Sequence, residues 1–73
     1  MSNLDDQRFL RDLVKRLRDQ RVARGLTQAQ LAEKCNLHRT FVGSVERGER
    51  NVSILNLRLM ARMLRVPLGA LLE

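Results

Sequence analysis

Arg39, Thr40 and Ser44 place hydrogen-bonding groups within one short stretch, His38-Arg39-Thr40-Phe41-Val42-Gly43-Ser44-Val45-Glu46-Arg47-Gly48. A helix over this stretch sets all three, with Gly43, on a polar face while Val42 and Val45 turn inward. A guanidinium at the start of such a helix can donate to both acceptors of a guanine edge, worth about 1–3 kcal/mol of discrimination when bidentate. The other roles open to Arg39 are a phosphate contact or simple solvation. Thr40 either reads bases or supports the backbone of the first turn, and Gly43 lets the helix approach a partner closely. Arg47 and Arg50 come at and just beyond the end of the stretch, where backbone phosphate is the natural target. Asn51 either touches that backbone or shapes the loop. All of this is recognition chemistry. For bond-making the chain is poorly equipped: no carboxylate pair, nucleophile–base constellation, metal cluster or phosphate loop is visible, and an enzyme is not expected.

The element that must hold this face is a second amphipathic stretch just before it, Thr27-Gln28-Ala29-Gln30-Leu31-Ala32-Glu33-Lys34-Cys35, separated only by Asn36-Leu37. So short a break forces the two helices to cross steeply and leaves the second projecting, the geometry of a helix-turn-helix that reads duplex DNA. Thr27 and Gln30 form a T-x-x-Q capping box that opens helix 2. Leu31, Ala32 and Cys35 supply its inner face, and Asn36 suits a left-handed turn. Helix 3 is expected from about Arg39 to Arg47, with Leu37, Val42 and Val45 as core anchors and Gly48 closing it.

Upstream, about Asp5 to Arg24, the spacing of Phe9, Leu10, Leu13, Val14 and Leu17 predicts one apolar helical face. Acids come early and arginines late, as the helix dipole prefers. Arg21 falls on the same inward line, where a charge needs a partner. Gly25 ends this helix. Downstream, Glu49-Arg50-Asn51-Val52 is a polar loop, Ser53 caps helix 4 (about Ile54 to Arg65), and Pro67 suits the first position of a short helix 5, Leu68 to Leu72. No segment alternates as a strand does. The expectation is an all-α, compact five-helix domain spanning residues 1–73, with the helix-turn-helix at about 27–48.

Helix 4 has more apolar surface than one core face uses. Leu57, Met60, Ala61 and Leu64 form the inward stripe. Leu55, Leu59 and Met63 form a second stripe to one side, with Val66, Leu68 and Leu71 nearby. A wide core face would absorb this surface. A homodimer interface in the 53–72 region, built on Leu55, Leu59, Met63, Val66 and Leu68, is favoured over it, because two-fold symmetry serves a small DNA reader.

The net charge is +6, and every basic residue except Lys15 and Lys34 is arginine. The planar guanidinium suits phosphate and base edges, although a solvated arginine-rich surface, or an acidic partner, would account for the charge alone. One cysteine, Cys35, permits no internal disulfide and reads as a small buried apolar residue. His38 has no companions for a metal site and reads as a helix-start residue or phosphate neighbour; no cofactor is expected. No stretch resembles a signal peptide or a membrane span, so a soluble, cytoplasmic, reducing setting is expected.

Four motifs in order, Leu17-Arg18-x-x-Arg21, Gly25-Leu26-Thr27-Gln28-x-x-Leu31-Ala32, Val42-x-x-Val45-Glu46-x-Gly48 and Ser53-x-x-x-Leu57-x-x-Met60-Ala61-x-x-Leu64-x-Val66-Pro67, resemble the phage-repressor (Cro/cI-type, XRE-type) helix-turn-helix family. The likeness covers Leu17 to Leu72. Within it, His38-Arg39-Thr40-Phe41-Val42 and Glu46-Arg47-Gly48-Glu49-Arg50-Asn51 resemble the controller proteins of bacterial restriction-modification systems, which are small dimeric regulators. The resemblance implies base contacts from Arg39, Thr40, Ser44 and Arg50. It also implies backbone contacts at Gln28, His38, Phe41, Arg47 and Asn51, and a structural salt bridge between Arg21 and Glu46. Phe41 stands where the subgroup commonly has tyrosine, and His38 where a Ser, Thr or Asp cap is usual. The function expected is a sequence-specific transcriptional regulator. Its partners would be a partly palindromic double-stranded DNA operator, a second copy of the chain and RNA polymerase, with no membrane. The competing reading is a protein-interaction module, antitoxin-like or adaptor, or a generic phage-type repressor.

Overall fold

The computed structural model describes residues 4–73. Five helices follow in order: α1 Leu4–Ala23, α2 Gln28–Cys35, α3 Arg39–Glu46, α4 Ile54–Leu64 and α5 Gly69–Leu72. The described residues contain no strand. α2 packs against α3 and α4, while α1 lies across α3, α4 and α5. Leu17, Leu31, Val42, Val45, Met60 and Leu71 are fully buried where these helices meet. Burial of each such side chain is worth about 1.5–3 kcal/mol against leaving it exposed. The core is therefore built from every helix, and α3 is anchored to it through two valines.

The helix ends follow their local chemistry. Thr27 Oγ1 accepts from the Gln30 N–H at 3.0 Å while Gln30 Oε1 accepts from the Thr27 N–H at 2.8 Å, the reciprocal capping box of α2. Ser53 Oγ likewise accepts from the Asn56 N–H at 3.1 Å to open α4. At the other ends the chain reverses through left-handed residues: Gly25 (φ 70°), Asn36 (φ 55°), Gly48 (φ 73°) and Arg65 (φ 59°). At each reversal the next N–H reaches back over the last turn, as from Leu37 to the Ala32 carbonyl at 2.8 Å. Gly25, Asn36 and Gly48 are the residues expected there. Arg65 is not, because a side chain disfavours this conformation.

Several boundaries and faces differ from the sequence reading. α1 starts at Leu4 and ends at Ala23, α3 ends at Glu46 with Arg47 as its cap, and α4 ends at Leu64. Pro67 does not start α5. Its carbonyl accepts from the Ala70 N–H at 3.0 Å, and the helix begins two residues later at Gly69. Phe9, expected in the core, is 52% exposed. Twenty residues make α1 about 30 Å long at 1.5 Å per residue, in a molecule only 32 × 23 × 20 Å. Phe9 lines a hollow at the edge of the core with Leu10, Asn51 and Val52, and the buried part of the stripe begins at Leu13. Leu37 is half-buried rather than a full anchor.

Candidate nucleic-acid interface

Glu46 sits at the last turn of α3 with its side chain only 3% exposed, facing Arg21 of α1 at 11%. Two bonds join them: Arg21 Nε to Glu46 Oε2 at 2.7 Å and Arg21 Nη2 to Glu46 Oε1 at 3.0 Å. The third guanidinium nitrogen, Nη1, donates to the Leu26 carbonyl at 2.7 Å. Every nitrogen of a nearly buried charge is thereby satisfied, the condition under which such a pair is tolerated at all. This bridge fixes α3 relative to α1 and to the turn before α2.

Gln28, the first residue of α2, joins the same cluster. Its Nε2 donates to Glu46 Oε1 at 3.0 Å, so the amide is turned inward rather than held free for a phosphate. Its carbonyl oxygen instead lies over Gly43, beside the Arg47 guanidinium. A Cβ on Gly43 would stand 3.2 Å from both Gln28 Oε1 and Arg47 Nη1. Gly43 is therefore buried, not part of the exposed face. Two long side chains, from α2 and the end of α3, lie across its bare backbone.

Arg39 and Thr40 are exposed on the first turn of α3. Ser44, one turn on, is half-buried, and its hydroxyl donates to the Phe41 carbonyl at 2.8 Å. With its proton committed to the backbone, Ser44 faces outward as an acceptor. His38 caps α3 in an extended conformation with no side-chain cap bond, and is exposed. Arg47 is exposed and pairs with Glu49 at 3.1 Å. The hydrogen bond and the charge of Glu49 hold the guanidinium pKa above its ordinary value. Asn51 is exposed in the loop.

Phe41 is half-buried, and the Arg50 guanidinium lies over its ring, 5.8 Å from the centroid. A ring face attracts a cation. The ring thus lies under Arg50, a contact that needs no hydroxyl. Sequence reasoning missed this contact and the Arg47–Glu49 pair. The i, i+2 alternation of charge at Arg47 and Glu49 was a visible signal for the second, whereas nothing local signals the first.

Arg39 and Thr40 are thus exposed at the start of α3 with Arg50 over the neighbouring Phe41, Arg47 caps the other end of the helix, and Asn51 lines a separate hollow with Phe9, Leu10 and Leu13 of α1. Burial pushes the Cys35 thiol pKa up, which leaves it an inert apolar filler behind α2. Among the described residues no group of three or more His, Cys, Asp or Glu could hold a metal ion. Among the same residues, no helix is long and apolar enough to cross a membrane.

The family model described as helix-turn-helix matches residues 17–71. The control protein C.SmaI of Serratia marcescens is 45% identical over 60 residues, covering 82% of this chain and 71% of that protein. Among solved structures, the restriction-modification controller protein C.AhdI from Aeromonas hydrophila superposes with a TM-score of 0.86 at 42% identity, over 92% of this chain and 97% of its own. A hypothetical transcription factor from Neisseria superposes with a TM-score of 0.84 at 38% identity, over 100% of this chain and 85% of that one.

Proposed function

The chain belongs to the helix-turn-helix family, with restriction-modification controller proteins among its relatives, and we propose that it regulates transcription by reading a partly palindromic operator as a homodimer. The observation that carries this is the braced, outward-facing first turn of α3: Arg39 and Thr40 are exposed on a helix locked from behind by Glu46, Arg21 and Gln28. A rigid helix can place a guanidinium against base edges without first being ordered. Arg39, Thr40, Ser44 and Arg50 read bases. Gln28, His38, Arg47 and Asn51 hold the backbone, Gln28 chiefly through the N–H groups at the start of α2. Phe41 acts by presenting Arg50.

Two copies would set their α3 helices in successive major grooves, about 34–36 Å apart along one face of the duplex. The surface available for pairing them is apolar and open: Leu55 is 70% and Ile54 61% exposed, and Leu59, Met63, Val66 and Leu68 are half-buried beside them. RNA polymerase at the same promoter is the further partner that this reading calls for.

Selection from a random duplex library followed by titration tests the reading. The wild-type chain should enrich one sequence class. Arg47→Ala should weaken binding to all duplexes alike and lower the salt slope by about 0.9 for each copy of the chain bound. Arg39→Ala should lose about 1–3 kcal/mol at one base pair and relax the selected sequence there. A library that returns no enriched class would overturn the proposal.

A further inference from the structure

We propose that the outer face of α1 is a second docking surface for DNA, taking backbone phosphates that flank the site read by α3. The inference rests on the DNA-binding reading above and extends it to a helix outside the motif. A cleft of about 350 Å³ opens between α1 and the end of α3, with Gln7, Arg11, Lys15 and Arg18 along one side and Arg47 and Gly48 along the other. Leu10 and Val14 form its floor. The α1 residues recur at i, i+4, i+8 and i+11, so they line one helical face, and Arg11 to Arg18 spans about 10 Å along the axis.

The charge in this cleft is cationic and available. Its one acid, Glu46, is nearly buried and has both oxygens occupied by Arg21 and Gln28. Arg11 and Arg18 make no ion pair or side-chain hydrogen bond with the described residues. Lys15 is bonded to Asp19 at 2.9 Å and Arg47 to Glu49 at 3.1 Å, but all four side chains are more than half exposed, and such pairs yield readily to a competing phosphate.

DNA is the occupant because Arg47 belongs to both surfaces. It lies at the end of α3, where it meets the operator backbone, and it also forms a wall of the cleft. A duplex presents one charge per about 1.7 Å of its axis, so a strand engaged at Arg47 continues directly past its next phosphates. Those phosphates meet Arg18, Lys15 and Arg11. An acidic protein segment would match the charge but not this continuity.

The test compares wild type with the double variant Arg11→Ala/Arg18→Ala on a duplex that the wild-type chain has selected from a random library. The duplex is used trimmed to the selected sequence and also with about one helical turn added at each end. On the flanked duplex the double variant should lose about 1.8 units of salt slope for each copy of the chain bound, 0.9 per charge, with the selected sequence unchanged. On the trimmed duplex, wild type and variant should bind alike. Circular dichroism should show equal helicity, since both arginines are exposed. The proposal is overturned if the variant matches wild type on the flanked duplex, or if the loss is equal at both lengths. It is also overturned if the loss shows only against an acidic protein partner. Should the wild type select no sequence and Arg47→Ala bind as wild type does, the underlying DNA-binding reading itself has failed.

Discussion

Glu46 accepts three N–H groups, two from Arg21 and one from Gln28, and all three come from other helices. A carboxylate this deeply placed is stable only with its partners present. Arg21→Leu or Glu46→Leu alone should therefore cost about 3–5 kcal/mol in denaturant unfolding, because each strands the opposite charge. That is a large share of what a domain of this length is expected to have. Replacing both by leucine should cost much less than the sum of the two, and the four-member unfolding cycle measures the difference. Additive losses would mean that the pair acts as two independent contacts. The need for a partner at Arg21 is readable in the sequence, since its helical position puts a charge on an apolar line. The involvement of Gln28 is not. Its amide could turn outward or inward, and only the position of Glu46 across the α2–α3 crossing decides.

Helix ends are the most legible part of this chain, because capping is settled within four or five residues. Thr27 with Gln30, Ser53, Gly25, Asn36 and Gly48 all announce the turn they make. What local pattern leaves undecided is which part of a helix meets the rest. Phe9 follows the apolar spacing faithfully yet stays half exposed at the edge of the core, beside Asn51 and Val52 of the loop. Gly43 lies on the polar side of α3 by period, yet Gln28 and Arg47 cover it. The ring contact at Arg50 depends on how the loop after Gly48 folds back, and helical spacing cannot express that. Arg65 is the exception among the ends: a left-handed residue with a full side chain, its carbonyl accepting from Arg24 Nη2 at 3.4 Å. Its backbone bonds would survive in glycine. Arg65→Gly should raise stability by about 1 kcal/mol, seen as a higher unfolding midpoint with unchanged denaturant slope. A drop would show that the Arg65 side chain outweighs its conformational cost.

On α4, Leu55 and Leu59 line a hollow together with Arg58 and Arg62, an apolar margin edged by charge. Leu55 is too exposed to serve the core of one copy. If two copies pair through α4 as proposed, Ile54→Glu with Leu55→Glu, both exposed in one copy, should leave helicity intact and give a monomer in light scattering, with operator affinity falling by tenfold or more. A wild-type chain that is already monomeric at micromolar concentration would remove the symmetric reading. A protein carrying a net charge of +6 also meets far more wrong DNA than right DNA. Here the pair between Arg47 and Glu49 takes on a different meaning. Both side chains are more than half exposed, so a phosphate displaces Glu49 readily whatever sequence it belongs to. If Arg47 meets the duplex backbone as proposed, Glu49 is a placeholder that keeps the guanidinium engaged until DNA arrives and gives it up to every strand alike.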